Sequence, residues 1–122
     1  MGKQIPKPKG ATKGDIVDPY VKLTILGLSQ DSNSQSTNTI WNNGWNPLWN
    51  ETFEFDLVCP ELAWLQVSVW DKNKLSSDTF ICENCFPVSS MRTGCLRSIP
   101  LFDEDMNSIE GGFILCNVKL TH

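Results

Sequence analysis

An all-β sandwich is the fold class this sequence predicts, and three observations carry it. Apolar residues recur with a period of two, the segments between them are rich in Ser, Asn, Asp, Gly and Pro, and no stretch of about ten residues holds a helical stripe. Val21, Leu23 and Ile25 alternate with Tyr20, Lys22 and Thr24, which reads as a half-buried strand. Phe53, Phe55 and Leu57 alternate with Thr52, Glu54 and Asp56 in the same way, and Leu65, Val67 and Val69 with Gln66, Ser68 and Trp70. Further strands are expected near Ser36 to Trp41, Thr79 to Phe86, Arg97 to Leu101 and Gly112 to Leu120, about seven in all. The first 18 residues hold two prolines and four lysines and are expected to form an extended basic arm, with residues 19–122 as one sandwich domain.

Bulk properties exclude several classes. A chain of 122 residues can bury a core of its own without metal or disulfide support. Its net charge of -4 argues against nucleic acid as a partner, because that affinity rests on a basic surface. No apolar run reaches the roughly 20 residues that span a bilayer, and the N-terminal MGKQIPKPKG has no apolar signal core, so a cytoplasmic location is expected. The cysteines at 59, 82, 85, 95 and 116 are odd in number and lack framework spacing, as free thiols in a reducing compartment would. Cys82 and Cys85 form a CxxC, but a zinc site wants four ligands and the one histidine is His122 at the end. With no internal histidine and no Gly-rich phosphate loop, no catalytic constellation is present; Asp103, Glu104 and Asp105 read as a solvated turn.

The segment NNGWNPLWNETFEF places Trp45 and Trp49 around the entrance to a strand. Asn42, Asn43 and Gly44 turn the chain and Pro47 bars both helix and ladder. Trp49 is expected to cap one end of the core with its indole N–H on a carbonyl, and Trp45 is the better candidate for an interfacial ring.

Three segments carry a family resemblance. GDIVDPYVKLTILGL, NNGWNPLWNETFEFDLVCPELAWLQVSVWD and FPVSSMRTGCLRSIPLFDEDMNSIEGG resemble, in order and spacing, the C-terminal C2 domain of phosphoinositide-specific phospholipase C, the delta-like group above all. The resemblance runs from Gln4 to Leu120 and implies an eight-stranded antiparallel sandwich that packs on a catalytic barrel and helps place it on membrane. The family's first strand should precede Gln4, where only Met1, Gly2 and Lys3 stand, so the sandwich is expected without it.

In the family pattern, calcium is held by loops at one end of the sandwich. Asp18 becomes the first-loop ligand, Asn42 belongs to the middle loop, and the third loop's D-x-D is Asp71-Lys72-Asn73. Calcium takes six to eight oxygens, so an amide at Asn73 with Lys72 and Lys74 beside it implies a weak site. Charge counting alone predicts that Asn73→Asp strengthens it, and Asp15 and Asp78 are candidates to compensate. Anionic phospholipid membrane is the expected partner, contacted by Lys72, Lys74, Leu75 and Trp45, with Lys3, Lys7, Lys9 and Lys13 of the arm adding charge.

The reading is therefore a non-catalytic phospholipid-binding module of a phospholipase C-like protein, peripheral to the membrane, orienting a catalytic barrel that this chain lacks. The alternative is a calcium-independent protein-interaction sandwich from a catalytically inactive relative. A third idea, a carbohydrate platform of Trp41, Trp45, Trp49 and Trp70, sits poorly with cytosolic thiols.

Overall fold

The computed structural model describes residues 17–41, 49–91 and 96–117. Within them, six antiparallel strands run in the order β2-β1-β3-β4-β5-β6. They are β1 (Pro19–Leu26), β2 (Asn33–Ser36), β3 (Trp64–Asp71), β4 (Thr79–Pro87), β5 (Leu96–Phe102) and β6 (Ser108–Asn117), with single 3-10 turns at Pro60–Leu62 and Val88–Ser90. The all-β expectation is met.

The central strands form where the alternation is strongest. Val21 and Ile25 of β1 and Val67 and Val69 of β3 are buried, because each lies on the inward side of a period-two run. The register pairs Val21 with Val69, Leu23 with Val67 and Ile25 with Leu65, so the apolar rows of the two strands lie side by side. β4 and β5 share one paired position, Glu83 with Phe102. Ile99 and Leu101 of β5 belong to one buried cluster with Val17, Val21, Val67, Val69, Ile81 and Cys82. Each fully buried valine in this cluster contributes about 1.5–3 kcal/mol. A second cluster of Ile25, Ala63 and Val88 fills the other end, where Gly27 lets the chain pass so close that an added Cβ would stand 3.3 Å from the Ala63 Cα.

Three local readings need correction. The strand expected at Ser36 to Trp41 lies earlier, at Asn33–Ser36; beyond it Thr37 N–H and Ile40 N–H still donate to the Val21 and Pro19 carbonyls, outside the ladder. Residues 52 to 57 keep their alternation in burial, Phe53, Phe55 and Leu57 inward and Thr52, Glu54 and Asp56 outward, but make no ladder among the described residues. Side chains hold that segment instead: Gln35 Nε2 donates to the Glu54 carbonyl at 2.8 Å, and Glu51 accepts the Asn38 N–H at 2.8 Å. Ser68, on the expected outward row of β3, is buried, because Trp70 closes over it and donates its indole N–H to Ser68 Oγ at 2.9 Å.

Trp49 behaves as its position predicts. It packs on the first cluster, and its Nε1 donates to the Pro19 carbonyl at 3.3 Å. The CxxC cysteines are split by the strand period, Cys82 buried in the core and Cys85 exposed. Two side chains three apart on one strand point to opposite faces, so they do not converge on a shared ion.

Candidate functional site

The register of β1 on β3 decides which loops meet. Pairing Pro19 with Asp71 brings Asp18 beside the end of β3, where the Asp18 N–H donates to Asp71 Oδ1 at 2.9 Å and the Lys72 N–H to the Asp18 carbonyl at 3.0 Å. A bulge in the β3–β4 ladder at Val69 and Trp70 lies one step from this end. It pairs Trp70 with Phe80 and Asp71 with Thr79, and it buries the successive residues Ile81 and Cys82. Trp70 and Phe80 meet edge to face with centroids 5.5 Å apart, a packed base beneath the loop of residues 72 to 78.

Asp78 is the hub of that loop. Its Oδ2 accepts the Tyr20 hydroxyl at 2.6 Å and lies 3.6 Å from Lys72 Nζ, and its Oδ1 accepts the Asn73 N–H at 3.0 Å. Burial pushes the Asp78 carboxyl up, but the hydrogen bonds from Tyr20 and Asn73 and the Lys72 charge outweigh it and hold the group below the ordinary carboxylate value. Burial, then the hydrogen bond to Asp78 and its negative charge, push the Tyr20 phenol up to about 12.

Asn73 is turned inward. Its Nδ2 donates to the Ser77 carbonyl at 2.7 Å and to Thr79 Oγ1 at 2.8 Å, so the amide closes the loop on itself. Lys74 Nζ stands 5.2 Å over the Trp41 ring, and next to it Leu75 is 100 % exposed.

The structure brings Asp18, Asp71, Lys72, Asn73, Lys74 and Leu75 together at one end of the sandwich. Asn42 and Trp45, together with Asp15 and the arm lysines Lys3, Lys7, Lys9 and Lys13, lie outside the described residues. Among the described residues no group of three or more His, Cys, Asp or Glu side chains is placed to hold a metal ion. Asp18 and Asp71 are two carboxylates where calcium's six to eight oxygens ask for more, and the Asp78 oxygens already serve internal donors. These described residues do not by themselves make a tight calcium site. The candidate platform tryptophans that are described are also dispersed: Trp49 covers core, Trp70 packs on Phe80, and Trp41 lies under Lys74.

Sequence reasoning missed two groups. Tyr20 reads in the sequence only as an outward strand position; the VDPY spacing, which sets a phenol two residues from Asp18, was the available signal. Asp31, 2 % exposed, caps a different loop by accepting the Val58 N–H at 2.7 Å and the Cys59 N–H at 2.8 Å on its two oxygens. Nothing in its neighbours Gln30 and Ser32 distinguishes it from a solvated turn aspartate.

Comparison with known proteins agrees with this geometry. The C2 domain family profile matches residues 1–103. A Xenopus laevis 1-phosphatidylinositol 4,5-bisphosphate phosphodiesterase delta-4 is 35 % identical over 98 % of this chain, which corresponds to 16 % of that protein. The human inactive phospholipase C-like protein 1 is 42 % identical over 82 % of the chain and 9 % of its own length. The chain therefore spans less than a fifth of either relative. Among solved structures, a C2 domain of plant extended synaptotagmin 1 superposes with a TM-score of 0.68 at 22 % identity, covering 93 % of this chain and 83 % of that one. At that identity the likeness is one of fold.

Proposed function

Because the chain belongs to the C2 family, as the C2 domain of phospholipase C and phospholipase C-like proteins, we propose that it docks a larger protein onto anionic phospholipid membrane through the β3–β4 loop, with little help from calcium. A C2 domain is not catalytic, so the phosphodiesterase chemistry of an active relative resides outside the segment that this chain matches. The observation that carries the proposal is the arrangement of that loop: Leu75 fully exposed at its tip, with the exposed Lys72 and Lys74 on either side of Asn73. Lys74 close to an anionic leaflet adds on the order of 1 kcal/mol, Lys72 adds less because it lies 3.6 Å from the Asp78 carboxylate, and a shallow leucine adds apolar burial to that. Asp18, Asp71 and Asn73 with Asn42 provide at most a weak calcium site, since the charge they offer is low and Lys72 and Lys74 oppose a divalent ion. On this reading the protein is peripheral to the membrane, and where its parent carries a catalytic barrel the domain orients that barrel.

Co-sedimentation with phosphatidylserine vesicles, with and without chelator at two salt concentrations, tests this. Binding should persist in chelator and fall steeply with salt, because the screening length shrinks from about 10 Å at 0.1 M to about 3 Å at 1 M. Lys74→Glu and Leu75→Ser should each weaken it. Binding that requires calcium and ignores salt would replace this reading with an ion bridge through Asp18 and Asp71. No binding in any condition would leave the protein-interaction reading, which the likeness to inactive phospholipase C-like proteins also accommodates.

A further inference from the structure

We propose that Asp78 is a positioning residue that, through Tyr20, Asn73 and Lys72, holds the β3–β4 loop in its lipid-contacting shape in place of a bound cation. The inference rests on the lipid-facing reading of that loop. It explains how the loop is shaped without the carboxylate cluster that an ion would need.

The contacts come from three separate places. Tyr20 reaches Asp78 Oδ2 from β1 at 2.6 Å, the Asn73 N–H reaches Oδ1 from the start of the loop at 3.0 Å, and Lys72 Nζ approaches Oδ2 to 3.6 Å. One carboxylate thereby ties both ends of the loop to the neighbouring strand, and the Asn73 amide ties the interior through Ser77 and Thr79. In an ion-held loop, the cation neutralises the carboxylates and fixes direction through coordination. Here the Lys72 ammonium supplies the charge, and the phenol and the backbone N–H supply the direction. The ordering entropy of the loop is met within the protein, before any contact with lipid. Lys74 and Leu75, which take no part in this network, are left to lead onto the membrane.

Tyr20→Phe deletes one hydroxyl and leaves the ring, and Asp78→Asn keeps the size while removing the charge. Hydrogen exchange of the amides of residues 72 to 79, thermal melting and phosphatidylserine vesicle binding in chelator are measured on both variants and the wild type. Exchange at Asn73 should quicken by about tenfold for the loss of one charge-assisted bond. Vesicle affinity should fall several-fold, the melting temperature should stay within a few degrees, and added calcium should restore neither readout. Unchanged exchange in both variants would overturn the proposal. So would faster exchange with unchanged vesicle affinity, or recovery on adding calcium. A wild type that binds no vesicles would sink the lipid reading instead, and Asn73 exchange in the two variants would still decide whether Asp78 holds the loop.

Discussion

The Tyr20 hydroxyl donates to Asp78 Oδ2 at 2.6 Å, joining the first strand to the far end of the β3–β4 loop across 58 residues of chain. Because Tyr20 is the one tyrosine in the sequence, near-ultraviolet absorbance titration of phenol ionisation reports this pair alone. Its midpoint should lie at about 12 rather than the ordinary 10.0, and Asp78→Asn should bring it down. The sign for stability follows: a phenol raised in the folded state contributes fully below pH 10.0 and loses that contribution as pH rises through about 12. Asp78 works in the other direction. Held below its ordinary value, it stabilises the fold above about pH 4 and loses that contribution as acid protonates it.

Asn73→Asp should disappoint an expectation based on charge alone. A carboxylate at 73 cannot donate to the Ser77 carbonyl or to Thr79 Oγ1 as the amide does, and it faces the carbonyl oxygen instead. Denaturant unfolding in chelator should show a loss of about 1–2 kcal/mol. Calcium titration calorimetry should show no submicromolar site in the wild type. A variant that gained calcium affinity without losing stability would mean that Asn73 is a ligand first and a loop staple second.

Asp31→Ala should be among the more damaging single changes in the chain. It leaves the Val58 and Cys59 N–H groups without their acceptor next to the second core cluster, at a cost of about 2–4 kcal/mol. Asp31→Asn keeps an acceptor for one N–H but sets an NH2 against the other, so about half the loss is expected. Equilibrium urea unfolding measures both, and a loss under about 0.5 kcal/mol for the alanine variant would show the clamp to be idle.

Trp49→Ala should cost about 3 kcal/mol, since it removes a ring packed on the main core and a hydrogen bond to the Pro19 carbonyl. Trp49→Phe keeps most of the ring and should cost about 1 kcal/mol. Trp41→Ala, by contrast, removes a half-exposed ring under Lys74 and should leave urea stability within about 0.5 kcal/mol. A Trp41 variant less stable than the Trp49 variant would reverse this order.

The sequence by itself determined the all-β class, the central strands β1 and β3, the inward rows Val21, Ile25, Val67 and Val69, and the role of Trp49. Strict alternation with β-branched residues leaves a chain segment one way to bury its apolar side, and that information is local. It also put Asp71, Lys72, Asn73, Lys74 and Leu75 side by side at the end of β3 by plain adjacency. Only the tertiary structure decided what those side chains do. The register of Pro19 on Asp71 and the bulge at Val69 and Trp70 set Tyr20 against Asp78, and a pair formed across 58 residues leaves no periodic trace in the chain. The same holds for Asp31, whose burial depends on two amides nearly thirty residues away. A polar residue in a loop reads as solvated until the packing around it is known, because its partners are backbone groups that every sequence possesses.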